Sequence, residues 1–269
     1  MSEAKVALVT GSSSGIGEAL VKLLAKKGYK VAISGSRKEK VERVAKAVAE
    51  LSPHKYEPLS LVLDFHDPNN GKVAVEKTIE HFGRLDALIN NAGIFVKSDV
   101  TSTTAYDDYR EVMTVNIDAT MKATLAAVGE LRKAKGNLIF VSSVASVKPS
   151  ERGYAYCMSK AAMSSFAKCL AIDLAPDVRV NICSPGPVVT PIFERIGFTE
   201  DMAKKFMATS TLQNRLGEVE EIANSIYFLM SDENAFMHGH ELFIDGGYLI
   251  KPSNTTVASQ VIAYREAQK

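Results

Sequence analysis

Val6-Ala7-Leu8-Val9-Thr10-Gly11-Ser12-Ser13-Ser14-Gly15-Ile16-Gly17 is the stretch whose reading decides the fold. A short apolar run ends in a glycine-rich turn, and apolar positions then recur at helical spacing from Ile16 to Leu24, closing at Gly28. The order is strand, turn, helix. Glycines let such a turn fold tightly and bring a pyrophosphate against backbone N–H groups at the helix N-terminus, so the pattern predicts an anion site. The glycine spacing is not the commoner dinucleotide fingerprint, and on pattern alone a flexible turn is the competing reading.

Outward from this unit the alternation continues. Apolar runs at Val31–Ile33, Leu59–Leu63, Leu85–Ile89, Leu138–Val141, Val178–Ile182 and Leu242–Ile244 read as strands. Helical spacing fills the intervals at Val41–Leu51, Val73–Phe82, Thr103–Lys133 and Tyr154–Leu174. Strands that are apolar on both faces and separated by helices predict an α/β fold, with a parallel sheet covered on both sides. No linker, internal repeat or low-complexity tract interrupts the 269 residues. One domain over residues 1–249, followed by a tail at 250–269, is the expectation.

Composition narrows the function classes. Lysine and arginine number 32 against 31 acids, a net charge of +1, so no overall basic field favours nucleic acid or an anionic membrane. Cys157, Cys169 and Cys183 match no zinc pattern and are too few for a disulfide framework, so no metal is expected. Neither a signal-peptide pattern nor an apolar span of about 18 residues is present, and a soluble, cytoplasmic protein without membrane insertion is expected.

Two local features carry chemistry. Tyr156 and Lys160, four apart on a helix, share one face, where an ammonium group stabilises a phenolate and brings its pKa towards working pH. Such a pair is also common by chance. At the end of the second strand the chain reads Gly35-Ser36-Arg37-Lys38. An acid there would bind a free ribose 2′-hydroxyl; with none at the tip, the forked guanidinium of Arg37 suits a 2′-phosphate, predicting NADPH over NADH. Glu39 is the competing acid, although acids at a helix start are common as dipole partners.

With these residues in hand, the chain resembles the short-chain dehydrogenase/reductase family from Val6 to Gly247. Thr10–Gly17 matches its TGxxxGxG turn, Asn90-Asn91-Ala92-Gly93 its NNAG stretch, and Tyr156–Lys160 its YxxxK pair. Ser143 lies 13 residues before Tyr156, as the family's serine does, and Asn116 matches the asparagine of the long helix. Pro185-Gly186 and Asp245-Gly246-Gly247 match the turns after the last two strands. The resemblance implies a Rossmann-type doubly wound sheet of seven parallel strands, commonly a homotetramer, that moves hydride between NADP(H) and a carbonyl or alcohol.

Residue by residue, it implies Tyr156 as proton donor, Ser143 as oxyanion donor, and Lys160 as the group that lowers the phenol pKa and holds the nicotinamide ribose. Asn116 would hold a water that relays protons to Lys160. The cofactor would meet Gly11, Ser13, Ser14, Gly15, Ile16 and Gly17 in the turn, Arg37 and Asp64 at the adenosine end, and Asn90, Ala92 and Gly93 after the fourth strand. Pro185, Gly186, Val188 and Thr190 would complete the site, with Thr190 on the carboxamide. Asp64 could equally cap its own turn, and Asn90 could bond its own backbone. Ser142 and Tyr154 are the neighbouring rivals. Strand pleat and family spacing select Ser143 over Ser142, and Tyr154 lacks a lysine four residues on.

On the substrate side, residues 190–214 occupy the family's lid position and are apolar at Ile192, Phe193, Ile196, Phe198, Met202, Phe206 and Met207. Phe95, Val96 and Val188 are expected to line the same pocket. An apolar lid favours a lipophilic ketone or aldehyde. A 3-oxoacyl thioester reductase is the second enzymatic reading. A non-catalytic NADP(H) sensor or scaffold is the rival from another class.

Overall fold

The computed structural model describes residues 3–192, 201 and 208–252. Alternate residues of each strand serve opposite faces of the sheet. In β1 (Val6–Val9), Ala7 and Val9 face one way and Val6 and Leu8 the other, and all four are fully buried. The same division runs through β2 (Lys30–Gly35), β4 (Ala87–Asn90), β5 (Asn137–Val141) and β6 (Arg179–Pro185). With β3 (Leu59–Val62) and β7 (Glu241–Ile244) these form one seven-stranded parallel sheet in the order β3-β2-β1-β4-β5-β6-β7.

Each face needs a cover of helices, and the chain supplies both. Helices α1 (Gly15–Lys26), α2 (Lys38–Leu51) and α7 (Val219–Met230) pack through Leu20, Leu24, Val44 and Ile226 onto the Ala7 and Val9 side. Helices α3 (Asn69–Phe82), α5 (Ala119–Ala134) and α6 (Tyr154–Leu174) pack through Val75, Leu131 and Met163 onto the Val6 and Leu8 side. The doubly wound α/β class follows the sequence expectation.

Three local differences have physical reasons. The expected helix over 103–133 is α4 (Ala105–Met113), one turn of π-helix (Thr114–Asp118) and α5. The π turn widens the helix where Asn116 enters the site, and no side-chain periodicity announces it. The fourth strand starts at Ala87 rather than Leu85; at Asp86 the carboxylate accepts from Val6 N (2.7 Å) and from Arg84, so the side chain takes the Val6 donor at the strand's edge. Finally, α7 occupies an interval where no element was expected. Its signals were present: Ile222, Ile226 and Leu229 at helical spacing, and a capping box between Glu218 and Glu221.

Candidate active site

In a sheet of this order the chain leaves β1 and β4 towards opposite edges, and a crevice opens at their carboxyl ends. A cleft of about 450 Å³ lies there. Its floor is the β1–α1 turn. Gly11 (φ +64°) and Gly15 (φ +57°) adopt backbone that side chains disfavour, and a Cβ on Gly11 would lie 2.8 Å from Ala92 Cα. Gly35, at the tip of β2, leaves room for the Ser13 side chain. Ser13, Ser14, Gly15 and Ile16 line the cleft, whereas Gly17 is buried behind them, with Asn91 Nδ2 and Gly11 O where its Cβ would stand.

Asn91 locks the turn to β4. Its Nδ2 donates to Thr10 O (2.8 Å) and Gly11 O (3.0 Å), while Thr10 Oγ1 accepts from the backbone N–H groups of Asn91 and Ala92. This role was not read from the sequence, although Asn91 stands inside the quoted NNAG stretch. Asn90 points elsewhere: it is buried, donates to Thr124 Oγ1 (2.9 Å), and does not line the cleft, whereas Ala92 and Gly93 do.

At the adenosine end, Arg37 and Asp64 both face the cleft. Arg37 has no carboxylate partner among the described residues, so its guanidinium is available to an anion. Asp64 Oδ1 accepts from His66 N (3.0 Å) and meets His66 Nδ1 (2.7 Å), so it caps its own turn as well as lining the site. Burial opposes a charge on His66, yet the carboxylates of Asp64 and Glu111 hold the imidazole above its usual range.

The reactive end gathers Ser143 from the turn after β5, and Tyr156 and Lys160 from α6. Ser143 Oγ accepts from Ala145 N (3.1 Å) and pairs with the Tyr156 phenol. Ser142, one step along the pleat, turns away to Lys160 O (3.0 Å) and Ser164 Oγ (2.9 Å). Tyr154 is similarly diverted, donating to Ala105 O. Lys160 is 3% exposed and its Nζ donates to Val141 O (2.8 Å). Asn116 joins through Gly93, whose Cβ would lie 3.3 Å from Asn116 Oδ1 and 3.5 Å from Lys160 Nζ. The Asn116 amide is already spent on Ile94 O and Ser159 Oγ, so its side chain has no donor left for a relay water.

The electrostatics differ from the expectation that Lys160 brings the phenol towards neutrality. Burial pushes Tyr156 up to about 12, with the Ser143 hydrogen bond opposing it. Burial likewise pulls Lys160 down to about 8. The ammonium lies 5.5 Å from the phenol ring centre and gives one of its three hydrogens to Val141 O.

Pro185, Gly186, Val188 and Thr190 line the far wall, with Thr190 Cγ2 against Gly15. Phe95 stands edge-on to Tyr156 with ring centres 5.3 Å apart. Val96 instead packs with the apolar group around Ile94 and Val115 and does not line the cleft. Of the expected lid, Ile192 lines the cleft; residues 193–200 and 202–207 lie outside the described residues, as does the tail from 253.

A doubly wound sheet with a glycine turn at its switch point and a serine, tyrosine and lysine over the same cleft defines a dinucleotide-dependent oxidoreductase acting on alcohols or carbonyls. Comparison with known proteins agrees. Residues 11–249 match a family model described as enoyl-(acyl carrier protein) reductase. Cyclopentanol dehydrogenase of Comamonas sp. (strain NCIMB 9872) is 35% identical over 246 residues, covering 91% of this chain and 96% of that protein. A Serratia marcescens short-chain dehydrogenase/reductase, solved as a variant, superposes with a TM-score of 0.81 at 32% identity, covering 91% of this chain and 98% of its own. The 3-ketoacyl-(acyl-carrier-protein) reductase of Brucella melitensis, complexed with NADH, has a TM-score of 0.81 at 29% identity over 91% and 98% of the two chains. The chain belongs to the short-chain dehydrogenase/reductase family. No helix among the described residues is long and apolar enough to cross a membrane.

Proposed function

We propose that this protein is an NADP(H)-dependent carbonyl reductase that takes a lipophilic ketone or aldehyde, with Tyr156 as the proton donor. The observation that carries the reading is the convergence of Ser143, Tyr156 and Lys160 on a cleft floored by the glycine turn. The turn fits a dinucleotide: Gly15 lines the cleft without a side chain at the first residue of α1, where a pyrophosphate can approach the backbone N–H groups. When bound, the nicotinamide supplies the hydride.

The rest is done by the chain itself. A phenol pushed up to about 12 is protonated at neutral pH, which suits donation to an oxygen gaining charge. Ser143 Oγ already accepts from Ala145 N, which leaves its own hydrogen for the same oxygen. Lys160, fixed by Val141 O, presents a buried positive charge beside both. The reverse alcohol oxidation uses the same groups.

Arg37, which faces the cleft and has no carboxylate partner among the described residues, supports a 2′-phosphate and hence NADPH. Ile94, Phe95, Val188 and Ile192 give the substrate end apolar walls, which supports a lipophilic carbonyl over a charged one. Exposed apolar side chains at Tyr106, Leu125 and Phe236 support a homo-oligomer, with a tetramer as the family pattern, readable by sedimentation. A panel of diketones, quinones, steroids, sugars and acyl thioesters, followed by NADPH absorbance, tests the activity. A hit confined to acyl thioesters would replace the ketone reading, and no turnover of any carbonyl would overturn it in favour of a sensor.

A further inference from the structure

Behind the reactive groups lies a buried carboxylate with no part in the chemistry above. Glu241 opens β7, and its side chain is 7% exposed. Oε1 meets the hydroxyls of Ser184 (2.8 Å), Ser164 (2.9 Å) and Ser146 (3.2 Å), and Oε2 accepts from Lys168 Nζ (2.7 Å). Burial alone would raise this carboxyl, but Lys168 and the serines hold it below its usual range. It is therefore an anion at neutral pH.

Two of the three serines lead to the reactive groups. Ser164 Oγ meets Ser142 Oγ, and Ser142 Oγ donates to Lys160 O, while the neighbouring Val141 O accepts from Lys160 Nζ. Val141, the last residue of β5, and Ser142, which follows it, thus grip Lys160 at its head and at its backbone. Ser146 Oγ donates to Ser143 O (2.7 Å). The third, Ser184, has no side-chain partner but Glu241 among the described residues.

We propose that Glu241 is a positioning residue, whose carboxylate sets the Ser164 and Ser142 hydroxyls so that Lys160 is held in place for the reaction. The hydrogen count gives the reason. Ser142 and Ser164 bring two hydroxyl hydrogens to three contacts, those with Lys160 O, with each other and with Glu241. An anion at Glu241 draws the Ser164 hydrogen to itself and leaves Ser164 Oγ as an acceptor, so the Ser142 hydrogen is shared between Ser164 Oγ and Lys160 O. Without that acceptor, Ser164 turns back to the helix carbonyl four residues earlier, which belongs to Lys160, and displaces Ser142 from it.

The inference rests on the reductase reading for the reaction it assists, and a contrast between serines tests it. S164A and S184A delete the same group from the same acceptor, but only Ser164 leads to Lys160. E241A and S164A should lower kcat by about tenfold, with S184A within about twofold of wild type and E241Q recovering most of the loss. Melting temperatures should fall alike in S164A and S184A. Equal kcat in S164A and S184A overturns the proposal, because a purely structural cluster would treat them alike. A wild type that turns over no carbonyl overturns the reductase reading instead. The contrast is then read by competitive acetylation of Lys160 across pH with peptide mass spectrometry. Its labelling midpoint should rise from about 8 in S164A and not in S184A; equal midpoints overturn the proposal.

Discussion

Lys160→Met isolates what it costs this fold to hold an ammonium group in the site. Lys160 is 3% exposed, and burial pulls it from 10.5 to about 8. At roughly 1.4 kcal/mol for each pH unit, that gap amounts to about 3 kcal/mol of destabilisation while the group is charged in both states. The sign follows from proton binding. Between about 8 and 10.5 the unfolded chain holds this proton more tightly than the folded one, so the contribution is unfavourable below that window and fades as pH rises through it. Methionine removes the charge but leaves Val141 O without its donor, at a cost of about 1–3 kcal/mol, so the stability difference at a single pH mixes two effects. The pH dependence does not. Urea unfolding should show wild type gaining about 1 kcal/mol relative to Lys160→Met between pH 7.5 and 9. Using the difference cancels other groups, notably Cys183, which burial pushes up to about 12. Parallel stability curves for the two proteins would refute the desolvated ammonium.

Two further outcomes follow from the cofactor end. Arg37→Ala should raise KM for NADPH by about 10–100-fold and leave KM for NADH nearly unchanged, since it deletes charge-assisted bonds to the 2′-phosphate alone; steady-state kinetics with both cofactors checks this, and equal effects would remove the arginine from that role. Asn91→Ala loses the two bonds that fasten Thr10 O and Gly11 O, and at about 1 kcal/mol each this should weaken cofactor binding by up to about 30-fold in a fluorescence titration.

The parts of this molecule legible in its sequence are those where a local pattern has one physical solution. The run from Val6 to Gly17 reads as strand, turn and helix because Gly11 and Gly15 supply backbone conformations other residues disfavour. The Tyr154–Leu174 helix has the expected bounds, and its spacing puts Tyr156 and Lys160 over the cleft. What escaped depends on partners distant in the chain. Glu241 looks like an ordinary edge-strand acid until Ser146, 95 residues away, and Ser164, 77 away, fold onto it. The π turn around Asn116 is a shift in backbone hydrogen bonding that no side chain encodes. Val96 was expected beside Phe95 in the pocket, but one step along an irregular segment turned it into the apolar group with Ile94 and Val115.

The charge on the phenol was misjudged for a related reason. Spacing on a helix gives proximity, so Lys160 was expected to set the Tyr156 pKa. Burial is a property of the whole fold, and here it prevails for both groups, pushing the phenol up to about 12 and the ammonium down to about 8. A donor that keeps its proton fits reduction.

The most direct test of the reductase reading is single-turnover NADPH oxidation by Tyr156→Phe with the best carbonyl from the panel. Losing the general acid should slow the step by about 10²–10⁴-fold with NADPH affinity nearly kept. Hydride transfer at the wild-type rate in Tyr156→Phe would contradict it.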